Sequence, residues 1–402
     1  MLAINTGDTA FIILCTALVA LMTPGLALFY GGLVRSRDML TIMMQNFISM
    51  GIVTLVWVLG GFSLAFGKDI AGLIGDFRYF AMIGIGMAPH PTYAPSIPFI
   101  MVFAYQMMFA IITPALITGA FAARFRFSSY LWFIALWTLV VYIPVAHWIW
   151  GGGFLGKLGV IDFAGGIVVH TTAGFAALAT AIFLGRRTLS PNDPPRPANI
   201  PLVAVGTGLL WFGWFGFNAG GAYAANQLAA YAFVNTAIAG GIAMVVWLFW
   251  SAIFEDKPSF SGVMVGGVAG LATITPTAGY IEPWAAIIVG ALGATICYFA
   301  KGIQEKFKYD DALEVFRAHG IGGITGSLLV GFFAERVIDG VSGGWEQFFI
   351  QLLGVAVVAV YSFVVTWILM MVLHKPRVSP EQEREGLDKS EFGEEAYYFD
   401  KN

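Results

Sequence analysis

The sequence predicts an all-α integral membrane protein. Eleven transmembrane helices run from an outer N-terminus to an inner C-terminus, as an inverted 5+5 repeat plus one additional helix. Three observations carry this prediction. Only 11% of the residues are charged and 58% are hydrophobic, whereas a soluble domain carries about 25% charged residues. The apolar residues gather into runs long enough to cross a hydrocarbon core of roughly 30 Å. Counting those runs as spans sorts the basic residues by side.

The runs cover about 9–34, 40–66, 97–123, 128–150 and 163–185, then about 199–219, 230–253, 260–278, 282–301, 313–334 and 344–374. No Lys or Arg precedes the first run, so it reads as a retained helix and not as a secretory signal, which needs a basic start. With the N-terminus outside, 17 of the 21 basic residues fall in inner loops or in the tail. Only Lys68, Arg78, Lys157 and Arg336 fall outside. This is the positive-inside pattern, and one miscounted helix would scramble it. The predicted domains are a transmembrane unit, 1–374, with repeat halves at about 9–185 and 199–334, and a cytoplasmic tail, 375–402.

The repeat follows from the same count. Span five begins at Asp162 with His170 eight residues later; span ten begins at Asp311 with His319 eight residues later. Each histidine is followed four residues on by a glycine, Gly174 or Gly323. Five is odd, so two successive five-helix units enter the membrane from opposite sides, a common transporter plan with its site near the midplane. Eight residues of helix advance about 12 Å, so the two histidines approach one depth from opposite faces. Ionisable residues at that depth are costly and line cavities or pathways. The bland alternative is two separate histidines bonded to neighbouring helices. A meeting pair of neutral imidazoles suits a small polar neutral solute or a proton relay better than a bare cation. Asp162 and Asp311 read as N-terminal helix caps, favoured by the helix dipole, with direct cation attraction by Asp162 at the outer mouth as the alternative.

Aromatic stretches give the second signal. HWIWGGG (147–153) closes span four and FGWFGFNAGG (212–221) closes span six, both at the outer face. Trp148 reads as an interfacial anchor. A ring facing a vestibule would instead hold a cation, and the sequence does not choose which ring does so. Span three carries Gln106 and Phe109 near its outer third, with Pro114 placed to bend the helix. Gly262, Gly266 and Gly270 form a small-xxx-small stripe for close helix packing. Cys15 and Cys297 fall in apolar runs and suggest neither disulfides nor a metal site. No nucleophile–base arrangement, phosphate loop or metal spacing emerges, so neither an enzyme nor a cofactor is expected. TAGYIEP (277–283) is a single copy in a short loop and is not read as a potassium filter.

Together, TPGLALFYGGLVRSRDML, HWIWGGG, DFAGGIVVH, GWFGFNAGG, VFRAHGIGG and the tail EQEREGLD resemble the ammonium transporter family (Amt/Mep, related to Rh proteins), Amt-type, along essentially the whole chain. The resemblance implies an eleven-helix homotrimer with one pore per subunit. It implies substrate recruitment at Phe109, Trp150 and Gly221, where Gly221 stands in place of a frequent Ser. It also implies a phenylalanine gate of Phe109 and Phe217 with Gln106 nearby, and a pore and proton relay through His170 and His319. Glu314 and Ala318 depart from the family pattern at the inner mouth.

The implied activity is recruitment of NH4+, its deprotonation, and passage of NH3 with the proton relayed separately. An apolar lumen rejects bare ions by their desolvation cost, and potassium cannot shed a proton. The alternatives are an ammonium sensor acting through a separate partner and an Rh-like NH3 gas channel. The implied partners are ammonium or ammonia, the lipid bilayer, other copies of the chain and a PII signal protein at the cytoplasmic face, with no nucleic acid. The implied location is the cell (plasma or inner) membrane. The polar tail reads either as a disordered extension or, by the resemblance, as a regulatory segment with Ser390 as a modifiable position.

Overall fold

Apolar runs become helices wherever the backbone must satisfy its own hydrogen bonds in a lipid-facing segment. The computed structural model describes residues 3–188, 195–335 and 340–398. α1 (Thr6–Leu33) is capped by the Asn5 side chain, which accepts the Asp8 N–H at 3.1 Å. There follow α2 (39–66), α3 (Phe99–Ile117), α4 (127–149), α5 (166–184) and α6 (Ile200–Ala219). α7 (Gln227–Phe254), α8 (Phe260–Ile274), α9 (Pro283–Phe299), α10 (316–333) and α11 (Trp345–Val372) complete the set. Nine helices among the described residues are long and apolar enough to cross a membrane, which makes this a multi-pass membrane protein by length and composition. The two remaining predicted runs are the 15-residue α8 and α10, which carries Arg317.

Several expectations are refined. Helix α3 ends at Ile117 and α8 at Ile274, short of the predicted 123 and 278. The connection after α2 holds two small antiparallel pairs, β1 (Asp69–Ile70) with β2 (Ile74–Gly75) and β3 (Pro89–His90) with β4 (Ala94–Pro98), which the all-α prediction lacks. Trp148 is not a free interfacial anchor. It is buried, its Nε1–H donates to the Leu73 carbonyl at 2.9 Å, and it locks that connection onto α4. Arg336 and Lys401 lie outside the described residues.

Small residues set the closest packing. On α6, a Cβ at Gly206 would lie 2.3 Å from Phe29 N, and one at Gly213 would lie 2.2 Å from Met22 Cγ, so α1 and α6 touch backbone to backbone. The predicted glycine stripe of α8 does the same against α7, with Gly266 under Trp247 and Gly270 against Ala243.

The segments around the two histidines share a plan. Each histidine sits on a π-helical turn, Gly166–Thr171 in one and Phe316–Ile321 in the other. A left-handed residue precedes each turn, Gly165 (φ 112°) and Glu314 (φ 60°). The helices cross at glycines. A Cβ on Gly174 would fall 2.2 Å from Gly320 Cα, and one on Gly323 would fall 2.9 Å from Thr171 N. The left-handed residues, the histidines and the crossing glycines correspond at one offset, and the π turns differ from it by one residue.

The tail packs on the ends of α2 and α4. Its α12 (Pro380–Glu385) opens with a Ser379 capping box. Asp388 accepts the Leu40 and Thr41 N–H groups at 2.9 and 2.7 Å, and Asp38 accepts the Leu387 N–H at 3.1 Å. The tail thus supplies carboxylate capping for α2. Phe392 stands edge-on to Phe127 at 4.9 Å.

Candidate functional site

Three cavities are lined by these residues. The one on the side predicted to be outer, about 360 Å³, is lined by Gln106, Phe109, Trp150, Asp162, Gly221 and Tyr223, among others. Past the Phe109–Phe217 ring pair lies a constriction of about 10 Å³ lined by Leu26, Val169, His170, Trp214, Phe217 and His319 with further apolar side chains. A cavity of about 780 Å³ on the side predicted to be inner includes Arg35, Arg187, Trp247, Glu255, Glu314 and Arg317.

Phe109 and Phe217 stand between the first two spaces. Their rings stack with centroids 4.1 Å apart and planes at 20°, and both are buried. Trp150 lies edge-on to Phe109 at 6.0 Å, and its Nε1–H donates to the Asp162 carbonyl at 2.8 Å, which fixes the indole. Gln106 Nε2 donates to the Tyr223 hydroxyl at 2.7 Å. Gly221 borders the same cavity, where a Cβ would lie 2.9 Å from the Phe163 carbonyl oxygen.

Below the ring pair, His170 and His319 meet, with Nδ1 to Nδ1 3.3 Å and both residues buried. One Nδ1 must donate and the other accept, so the two rings hold complementary tautomers around one shared proton. His170 Nε2 is buried with no partner among the described residues. His170 also stacks on Trp214 at 5.5 Å, and Trp214 is held by an Nε1–H bond to Thr275 Oγ1 at 2.9 Å.

Asp162 and Asp311 hold the two turns. Asp162 accepts four backbone N–H groups, those of residues 165–168, at 2.7–2.9 Å. Asp311 Oδ2 accepts the Phe316 N–H at 2.7 Å, while its Oδ1 has no partner among the described residues. In the cavity of about 780 Å³, Arg317 pairs with Glu314 and lies 5.0 Å over the Trp247 ring. Burial works against ionisation of Asp310, but Arg187 at 2.8 Å, with Arg124 beyond it, holds its carboxyl below the ordinary value.

The structure therefore brings Gln106, Phe109, Trp150 and Gly221 to one cavity, and Phe217, His170 and His319 to the constriction beneath it. Ser390 lies apart in the docked tail, its hydroxyl buried without a partner among the described residues. Sequence reasoning missed Trp214 and Tyr223. The first had a signal, since Trp214 precedes Phe217 by three residues and shares its helix face. Tyr223 had none: its place depends on a left-handed turn after α6 (φ 52°).

Fold and site together define a multi-pass membrane protein with two large cavities and a small, mostly apolar one that two histidines help to line. The Ammonium Transporter Family model matches residues 10–397. The chain is 45% identical to an ammonium transporter of Aquifex aeolicus, over 98% of this chain and 94% of that protein. Among solved structures, Mep2 of Candida albicans matches with a TM-score of 0.85 and 34% identity, covering 92% of this chain and 84% of that one. A Sensor Amt Protein matches with a TM-score of 0.88 and 30% identity, covering 96% and 98%. The chain belongs to the ammonium transporter family.

Proposed function

We propose that this chain is an ammonium transporter that recruits NH4+ in the outer cavity and conducts NH3. Trp150 and Phe109 hold the ion by its attraction to their ring faces, worth about 0.5–2 kcal/mol. Gln106 and the backbone around Gly221 complete the site without a hydroxyl at 221. The Phe109–Phe217 pair admits one molecule at a time. Below it, burial disfavours charge, so the ion gives up its proton and NH3 bonds to the imidazoles of His170 and His319. The proton follows separately along the histidine pair.

The single observation carrying this reading is the buried Nδ1–Nδ1 contact of His170 and His319 within a constriction of about 10 Å³. A desolvated cation is penalised there, whereas a neutral hydrogen-bonding molecule is not. The proposed transport unit spans the membrane eleven times as α1–α11, N-out and C-in, in the cell membrane. Its inverted halves are about 9–185 and 199–334, with α11 added and 375–402 as the cytoplasmic tail. The matched π turns and glycine crossings at 162–174 and 311–323 support that symmetry. The chain works as a homotrimer, the tail governs it from the cytoplasmic side, and a PII signal protein is its partner at the inner mouth. A phosphate on Ser390, beside Asp388 and Glu391, would repel them and release the tail.

The likeness to a Sensor Amt Protein favours one second reading, an ammonium sensor. Currents in proteoliposomes separate the readings. Ammonium-driven current with potassium excluded supports transport with a relayed proton, and uptake without current supports an NH3 channel of the Rh kind. Ammonium binding with neither supports the sensor.

A further inference from the structure

The outer end of α4 holds a histidine that the proposed pathway does not use. His147 is fully buried and lies three residues before Trp150. Its Nδ1 is 2.8 Å from the Ala65 carbonyl oxygen at the end of α2, and its Nε2 is 2.9 Å from Asp69 Oδ1 in β1. A carbonyl oxygen can only accept. The Asp69 carboxylate is also committed as an acceptor: Lys157 Nζ lies 2.5 Å from Oδ2, and the Gly72 N–H donates to Oδ1 at 2.8 Å. The ring therefore bridges two acceptors, one at the end of α2 and one in β1, and the far carboxylate oxygen meets Lys157. Removing either partner leaves a buried polar group without its hydrogen bond.

The turn bearing Trp150 closes over this ring. The Trp150 N–H donates to the Ala146 carbonyl at 2.8 Å, and the Gly151 and Gly153 N–H groups donate to the His147 carbonyl at 3.0 and 2.9 Å. A Cβ on Gly151 would lie 1.9 Å from the Ala65 carbonyl oxygen and 2.7 Å from His147 Nδ1, so only glycine allows the closure. The Tyr93 hydroxyl ties the same turn down from outside, donating to the Gly151 carbonyl at 3.3 Å.

We propose that His147 and the Asp69 carboxylate are a positioning pair for Trp150, pinning the end of α4 to α2 and to the β1–β2 hairpin so that the indole faces the outer cavity. This rests on the reading of Trp150 as a recruiting ring. Neither His147 nor Asp69 touches the ion. Their effect passes through the placement of the indole, where a shift of about 1 Å is costly.

The test is an ammonium titration of transport by the full-length protein in proteoliposomes. Asp69→Asn raises the half-saturating concentration about three- to tenfold while the maximal rate stays within about twofold. Asp69→Glu, which keeps the charge, recovers much of the shift. Trp150→Leu separates the two layers of inference. If it leaves half-saturation unchanged, the recruitment reading fails. If it raises half-saturation while Asp69→Asn does not, the positioning pair alone is overturned. A fall in maximal rate at unchanged half-saturation in Asp69→Asn also overturns the pair. A measurement on the wild-type protein does not depend on a variant folding. Its 15N-histidine spectrum in bilayers contains a ring with both nitrogens hydrogen-bonded, absent from His147→Gln. A wild-type spectrum without that ring overturns the pair.

Discussion

The segments 162–174 and 311–323 build the same turn with different degrees of support. In the outer one, both carboxylate oxygens of Asp162 are filled by four backbone N–H groups, and the left-handed position before the helix is Gly165. In the inner one, Asp311 leaves an oxygen unpartnered among the described residues, and the left-handed position is occupied by Glu314. Glycine takes that backbone conformation freely, whereas a side chain there costs about 1–2 kcal/mol. Glu314 uses its place differently: its carboxylate pairs with Arg317 at the wide inner cavity. The turn at 162–174 is held by a full set of backbone donors. The turn at 311–323 accepts a left-handed side chain and gains an ion pair beside a wide cavity.

Substitutions that exchange these properties sharpen or break the comparison. The largest effect is expected at Gly165, where a Cβ would lie 2.6 Å from Val169 Cγ2 as well as forcing φ 112° on a side chain. Gly165→Ala should lose about 3 kcal/mol or more, read as loss of folded protein in detergent melts. Asp162→Ala should follow, at about 3 kcal/mol, because four buried N–H groups lose their acceptor. Asp311→Ala should cost only about 1 kcal/mol. Equal losses for the two aspartates would remove the asymmetry. Glu314→Gly should be neutral or stabilising by up to about 1 kcal/mol in the same melts, since relief of the left-handed strain offsets a weak ion pair.

The smallest effect is an acid one, in the connection packed on the outer vestibule. Lys157 first and then His147 bond Asp69 and hold its carboxyl at about 2. A lowered carboxylate pKa contributes stability above its ordinary value of about 3.8, and that stability is lost as pH falls through about 2. Hydrogen exchange of 67–76 should therefore accelerate in that window in the wild type, and the acid response should be absent from Asp69→Asn.

Much of this arrangement was legible in the chain, for identifiable reasons. Runs of apolar residues depend on transfer energies that act residue by residue, so the helical, multi-pass class was readable. The equal spacing of Asp162–His170 and Asp311–His319 linked two segments before their contact was known. The aromatic stretches pointed to the cavity bordered by Trp150 and Gly221 but not to its full lining, because the rotation of α6 is decided by glycines against α1. Trp148 misled because its indole bonds to Leu73 in a connection with no periodic signal. The role of Asp69 beside His147 was illegible for the same reason: 78 residues separate them, and the fold alone brings them together.

The central claim is that the histidine pair passes ammonia and excludes a cation that cannot lose a proton. Its most direct test is the His170→Ala, His319→Ala double variant in proteoliposomes, with ammonium and potassium gradients applied separately. The account predicts that ammonium-driven current falls at least about tenfold or that potassium begins to pass. Ammonium transport at the full wild-type rate, with potassium still fully excluded, would contradict it.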